Sequence, residues 1–368
     1  MSVAGLRRTP LHDVAVTLGG RMVDFAGYEM PVQFSSIIEE HRTVRQAVGL
    51  FDLSHMGEVA ITGPEALSFT SHAVVSDPSM LEEGQAQYAM LCNEDGGVID
   101  DLIVYRTDDG YLLVCNAANR DAVLAHLEEL LRQGDFDAGI EDRTARTALV
   151  APQGPRAADL LAGLTDADLG ALGNYRSMRA TVAGIDCMLA RTGYTGEDGF
   201  ELFCDARRAV GLWRALYDAG QRLGLRACGL GSRDTLRLEA GMPLYGNELG
   251  LDVNPYEANL GRVVKLDKGE FVGRAALARV QQEGPRRKLV GLVMLDTAVP
   301  RHGYPVLVDG EQVGAVTSGT ASPTLQKMIA MAYLPAEHAS LGAEVEVVVR
   351  ERRCRAEQVK LPFYRRPR

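Results

Sequence analysis

The sequence lacks most of the features that announce a common kind of site. Its six cysteines, Cys92, Cys115, Cys187, Cys204, Cys228 and Cys354, form no C-x-x-C pair, and several lie in apolar runs such as Leu112-Leu113-Val114-Cys115. That argues against a zinc site or a disulfide framework and for buried free thiols in a reducing compartment. The seven histidines, His12, His41, His55, His72, His126, His302 and His338, are scattered without metal-ligand spacing, so no metal is expected. No H-E-x-x-H, P-loop or G-x-S-x-G occurs. Residues 1–10 contain no apolar signal core, and no later stretch approaches membrane-spanning length, so the expected compartment is the cytoplasm, with no membrane partner. Positive charge is in deficit: 39 Lys and Arg stand against 49 Asp and Glu, a formal net charge of −10. An extended nucleic-acid footprint is therefore not expected, which leaves room only for a local basic patch such as Tyr364-Arg365-Arg366-Pro367-Arg368.

What is present is the balance of an ordinary globular protein, 46% hydrophobic and 24% charged over 368 residues, long enough for two or three domains. A strand is predicted over 58–62, with Gly63-Pro64 opening a helix through Ala66-Leu67. Strands over 86–92 and 98–105 are joined by Asn93-Glu94-Asp95-Gly96-Gly97, a hairpin turn, and another strand covers 111–116. Asn119 is placed to cap a helix with the apolar face Val123, Leu124, Leu127, Leu130 and Leu131. A similar order recurs: a strand over 147–151, a helix opened by Gly154-Pro155, two strands within 178–192, a strand over 200–204, and a helix carrying Trp213. Two such successions imply α+β layers with antiparallel sheets. After a polar stretch at 281–288, short strands over 289–295, 304–308, 312–318, 328–333 and 344–349 predict a small β-barrel or sandwich.

Three stretches could carry chemistry. In Gly96-Gly97-Val98-Ile99-Asp100-Asp101-Leu102-Ile103-Val104 the two aspartates point to opposite faces of a strand, each between apolar neighbours. A carboxylate there is costly unless hydrogen-bonded or met by a ligand; alternatively, both acids are solvated near the turn or cap backbone N–H groups. Arg191-Thr192-Gly193-Tyr194-Thr195-Gly196-Glu197-Asp198-Gly199-Phe200-Glu201-Leu202 reads either as a loop that approaches a ligand closely or as a glycine-rich hairpin with one glutamate facing water. In the 229–241 stretch Ser232 is placed to cap a short helix that Gly241 ends. Asp234 holds the third glycine position of a dinucleotide fingerprint, which rejects that reading. Arg233 and Arg237 share a helical face, by default a solvated stripe.

Taken together, these segments resemble the T-protein family of glycine-cleavage aminomethyltransferases. The resemblance also runs through Arg8-Thr9-Pro10-Leu11-His12, Phe25-Ala26-Gly27-Tyr28-Glu29-Met30-Pro31-Val32, Gly49-Leu50-Phe51-Asp52-Leu53-Ser54-His55-Met56, the 231–247 stretch and Val316-Thr317-Ser318-Gly319-Thr320-Ala321-Ser322-Pro323-Thr324-Leu325, in family order. It implies an α+β fold in a three-domain cloverleaf around a central folate channel: a folate-binding α+β domain from 1–50 and 140–280, a second from 51–139, and a C-terminal β-barrel from 281–368. It implies aminomethyl transfer to tetrahydrofolate from the lipoyl arm of the lipoylated H-protein, giving 5,10-methylenetetrahydrofolate and ammonia. The family's catalytic aspartate falls on Asp101, and its folate-site residues fall on Met56, Tyr88, Asn116, Tyr194, Glu201 and Arg233. Arg365 is expected to neutralise the carboxylate tail of the folate.

Two departures from the family pattern bear on alternatives. Arg262 stands where relatives usually carry tryptophan, which removes an aromatic stacking partner. Folate-binding relatives that maintain iron–sulfur clusters carry Lys-Gly-Cys-Tyr-x-Gly-Gln; here Lys268-Gly269-Glu270-Phe271-Val272-Gly273-Arg274 has no cysteine. A third alternative, a folate-dependent demethylation partner, normally follows a flavin domain, for which no room is expected ahead of Thr9.

Overall fold

A computed structural model of the chain describes residues 5–367; residues 1–4, and with them part of the N-terminal segment considered above, lie outside it, as does Arg368 of the basic C-terminus. The fold is α+β with three main sheets. The chain divides into two compact units, 1–73, 77–89 and 102–234 in the first, and 74–76, 90–101 and 235–368 in the second.

A six-stranded sheet of the first unit runs in the order Ser177–Val182, Ile185–Ala190, Glu201–Asp205, Thr147–Gln153, Gly49–Asp52, Arg226–Ala227. All neighbours are antiparallel except the last pair, which is parallel. Its core is built from Leu50, Val150, Leu189 and Leu202 packed with Leu212, Trp213 and Leu216 of the Ala209–Gly220 helix. Apolar residues at 212, 213 and 216 (i, i+1 and i+4) share one helical face, which is turned to the sheet.

A five-stranded sheet follows the order Ala86–Cys92, Val98–Thr107, Gly110–Cys115, Gly57–Thr62, Gly139–Asp142. The expected helix is there, Arg120–Gln133, with Val123, Leu127 and Leu130 buried and Leu124 and Leu131 half-buried. Asn119 precedes it but makes no capping hydrogen bond, because its own backbone is already near helical (φ −104°, ψ −5°).

In the second unit six strands close a barrel: Arg287–Met294, Met328–Pro335, Glu311–Ala321, Pro305–Val308, Glu344–Val349 and Arg352–Val359. The last was not anticipated, since its charged residues hide the alternation, yet Cys354 and Ala356 point into the barrel core and the strand pairs back with the first. The Leu230–Glu239 helix begins earlier than expected. Ser232 sits inside it and donates to Gly229 O at 2.9 Å rather than capping it, while Gly241 ends it with φ +64°. The Arg233/Arg237 face is not a solvated stripe either. Arg237 is 1% exposed, paired with the fully buried Glu248 at 2.9 Å and donating to Ser318 Oγ at 2.6 Å and Met242 O at 3.2 Å. All six cysteines are buried and free, and among the described residues no helix is long and apolar enough to cross a membrane.

Removing one partner of a buried ion pair strands the other charge. Arg237→Ala is expected to lose ~3–5 kcal/mol in urea denaturation. Arg132→Ala, whose side chain is 71% exposed, should leave the urea midpoint essentially unchanged. Equal losses in the two variants would contradict the buried pair's role.

Candidate functional site

The glycine-rich stretch joins two adjacent strands of the six-stranded sheet, and its shape is imposed by one side chain from a third. Gln153 donates through Nε2 to Thr192 O at 3.0 Å and Phe200 O at 3.2 Å, and its Oε1 accepts from Thr195 Oγ1 at 3.0 Å. A Cβ on Gly193 or Gly199 would come within 2.1 Å and 2.5 Å of the Gln153 amide, so both positions need glycine for this approach. Arg191 grips Asp198 through two bonds of 2.9 and 2.6 Å across the turn. Arg45, whose side chain is 6% exposed, donates to Thr195 O at 2.7 Å and Glu197 at 3.0 Å.

The turn holds Glu201 half-buried in a defined orientation. Its Oε2 accepts from Thr192 Oγ1 at 2.5 Å and from Tyr105 O–H at 3.3 Å. Thr192 spends its single hydrogen on the carboxylate, so the Tyr105 phenol is the donor in both of its contacts and shares its one hydrogen between Thr192 Oγ1 at 2.9 Å and Glu201 Oε2 at 3.3 Å. Burial first, and the Glu201 charge second, push the Tyr105 phenol well above its ordinary range and keep it a donor. Both fixed hydroxyls meet Oε2; Oε1 receives no hydrogen bond among the described residues.

Arg233 lies over the Tyr194 ring, its guanidinium carbon 4.8 Å from the centroid. Burial lowers its basicity, and the Glu201 charge works the other way; a guanidinium in such a setting stays charged. The next group is His55, 2% exposed and edge-on to Phe25 at 5.5 Å and Tyr28 at 6.3 Å. Burial and the Arg233 charge pull its imidazole down to about 3, so it is neutral, and its buried Nδ1 has no hydrogen-bond partner. Tyr194, Glu201 and Arg233 are thus brought into one cluster, with Tyr105, Thr192 and Gln153 as members the sequence reading passed over. Nothing local marks Gln153: its partners lie 39, 42 and 47 residues away.

The second unit contains Asp101. The hairpin before it is closed by Asn93, whose Oδ1 accepts from Asp95 N at 3.1 Å and Gly97 N at 2.8 Å, with Gly96 at φ +83°. A Cβ on Gly97 would stand 1.9 Å from Leu251 O, and Val98 N donates to Gly250 O at 3.1 Å and Val253 O at 3.0 Å. The two aspartates do point to opposite faces. Val98, Asp100, Leu102 and Val104 are buried; Ile99, Asp101 and Ile103 are half-buried. The solvated alternative fails for Asp100, which is 0% exposed.

The remaining expected residues are dispersed along the chain. Met56 is half-buried in the turn after Gly49–Asp52, its N–H bonded to Leu53 O at 2.9 Å. Tyr88 is half-buried on Ala86–Cys92, and Asn116, half-buried just past Gly110–Cys115, accepts from Asn119 N at 3.0 Å. Arg365 and Arg262 are exposed.

Gln153→Ala leaves two carbonyls and a hydroxyl without their partner. It is expected to cost ~1–3 kcal/mol in urea denaturation and to loosen the 191–201 turn, read as faster amide exchange at Thr192–Phe200. Unchanged stability and exchange would show that the turn holds itself.

The chain is similar to known proteins over nearly all of its length. Residues 11–268 match the GCVT N-terminal domain, and residues 287–365 match the glycine cleavage T-protein C-terminal barrel domain. The chain is 50% identical to an aminomethyltransferase of Moorella thermoacetica, over 99% of this chain and 100% of that one. It is 52% identical to an aminomethyltransferase of Streptomyces coelicolor, with 100% of each covered. The crystal structure of the glycine cleavage system aminomethyltransferase T from Bartonella henselae superposes with a TM-score of 0.91 at 34% identity, covering 98% of both chains. The chain belongs to the glycine cleavage T-protein family of aminomethyltransferases.

Proposed function

We propose that this chain transfers the aminomethyl carbon of S-aminomethyldihydrolipoyl H-protein to tetrahydrofolate, in the cytoplasm, giving 5,10-methylenetetrahydrofolate, ammonia and dihydrolipoyl H-protein. The observation that carries the reading is the Glu201 carboxylate, with Oε2 held by two hydroxyls and Oε1 open. A reduced pterin presents a ring N–H beside an exocyclic amine, two parallel donors that suit such a carboxylate. Tyr194 and Arg233 offer flat surfaces for the ring, which bears on the missing tryptophan at 262, since a stacked guanidinium and phenol can serve the same end. Met56, Tyr88 and Asn116 are assigned to the walls of the folate site, and Arg365 to the folate tail. The domain carrying Glu201 is assigned to 1–50 and 140–280.

Asp101 is assigned the proton at the reacting folate nitrogen: its carboxylate orients the N–H and accepts the proton as the new C–N bond forms. Assistance of this kind is worth roughly 10²–10⁴-fold. The cluster-maintenance alternative loses its cysteine, since Glu270 occupies that place, exposed and 3.4 Å from Arg274.

The test supplies aminomethylated lipoyl H-protein and tetrahydrofolate and follows ammonia. Wild type should release it, and Asp101→Asn should slow release by about 10²-fold or more while still binding folate. Folate binding without ammonia release by wild type would instead favour a non-catalytic folate-binding protein; full activity in Asp101→Asn would refute the role given to that residue.

A further inference from the structure

Two of the buried thiols lie side by side in the first unit. Cys187, on the Ile185–Ala190 strand, is directly opposite Cys204, on the Glu201–Asp205 strand of the same sheet. Backbone hydrogen bonds fix the kind of pair they make. Phe200 N donates to Pro152 O at 2.9 Å, and the register steps in twos through Leu202 opposite Val150 to Cys204 opposite Ala148. The peptide groups of Cys204 therefore point to the Thr147–Gln153 strand, away from Cys187. Arg191 N likewise donates to Arg176 O at 2.9 Å, and the register steps in twos to Cys187 opposite Ala180. The peptide groups of Cys187 thus point to Ser177–Val182, away from Cys204. The cysteines are a non-hydrogen-bonded antiparallel pair, whose Cα atoms stand about 4.5 Å apart with their side chains close. That falls at the short end of the roughly 4.4–6.8 Å that a disulfide bridges.

Both side chains lie on the face packed with Leu189 and Leu202, yet each is 5% exposed, and the adjoining Asp186 and Asp205 are exposed. The other four cysteines are 2% exposed or less, and burial pushes Cys92 up to about 12. Cys187 donates weakly to Ile185 O at 3.4 Å. The neighbouring Cys187 thiol holds Cys204 below its ordinary range, the Arg208 charge adding a smaller part, whereas Cys204 and then burial push Cys187 up. Cys204 is the better thiolate of the two.

We infer that hydrogen peroxide reaching this end of the sheet joins Cys187 and Cys204 in a reversible disulfide, which staples the hairpin carrying the 191–201 turn. The Cys204 thiolate attacks one peroxide oxygen, the O–O bond breaks, and hydroxide leaves as water with the proton that Cys204 gave up. The Cys187 sulfur then attacks the sulfenic sulfur, the S–O bond breaks, and a second water leaves with the Cys187 proton. Two thiols are oxidised and one peroxide is reduced to two waters. The new bond closes a ring of residues 187–204 around the turn, on the same two strands that place Ala190 opposite Glu201. Opening the turn then works against a covalent tie, and excess thiol restores the free hairpin.

The test treats the reduced wild-type chain with hydrogen peroxide, blocks remaining thiols with iodoacetamide under denaturing conditions and maps the peptides without reductant. A peptide pair linking Cys187 to Cys204, short of two hydrogens and separated by dithiothreitol, is the expected product, with the other four cysteines alkylated. Recovery of both thiols as alkylated, or of Cys204 as an unlinked sulfinic acid, overturns the inference; this measurement needs no variant to fold. In Cys187→Ser the resolving sulfur is gone, so dimedone should trap a sulfenic acid at Cys204 after peroxide. Trapping at Cys187 in Cys204→Ser, with none at Cys204 in Cys187→Ser, overturns the order of the two steps. Amide exchange at Thr192–Phe200 should slow by about 10-fold or more in the oxidised wild type and recover with dithiothreitol. A linked chain whose exchange there matches the reduced one overturns the staple.

Discussion

A carboxylate drawn partly out of water must find donors, and the first unit is organised around supplying them to Glu201. Thr192 and Tyr105 bond one of its oxygens, and the turn that carries Thr192 is in turn fixed by Gln153. The cost of desolvating the charge falls on the fold: hydroxyls, amide and glycines are all committed to one geometry. What the fold gains is an anionic acceptor already aimed, so a ligand with matched donors loses little in ordering it.

The neighbours follow from the same constraint. Arg233 offsets the negative charge while lying over Tyr194, and burial, helped by the Arg233 charge, keeps His55 neutral. His55 would otherwise add a second desolvated cation beside the first. The second unit solves a different problem. Asp101 sits on a strand whose hairpin is locked by Asn93 and by the tight fit of Gly97 on Leu251, so its position is set by backbone packing. The neighbouring Asp100 is wholly buried on the other face.

The sequence foretold the parts of this arrangement that depend on short-range pattern. The Asn93–Gly97 turn, the opposed faces of Asp100 and Asp101, the apolar face of the 120–133 helix and most barrel strands follow from period and turn chemistry. It failed where long-range contact overrides local preference. Ser232 looks like a cap but lies within a helix, Arg237 looks solvated but is sealed against Glu248, and the charged 352–359 strand closes the barrel. Gln153 is the clearest case, since no residue near it in the chain hints at the turn it shapes. Glu201, Tyr194 and Arg233 were picked out by family resemblance rather than by pattern, and the first unit does gather those three.

The most direct test of the central claim is calorimetric titration of tetrahydrofolate into the wild-type chain and into Glu201→Gln. The substitution keeps the shape and replaces the charged acceptor by an amide that presents a donor. Loss of affinity by about 10- to 100-fold, with thermal stability preserved, is the expected result. Equal affinity in the two proteins would contradict the account, because the aimed carboxylate would then have no ligand to recognise.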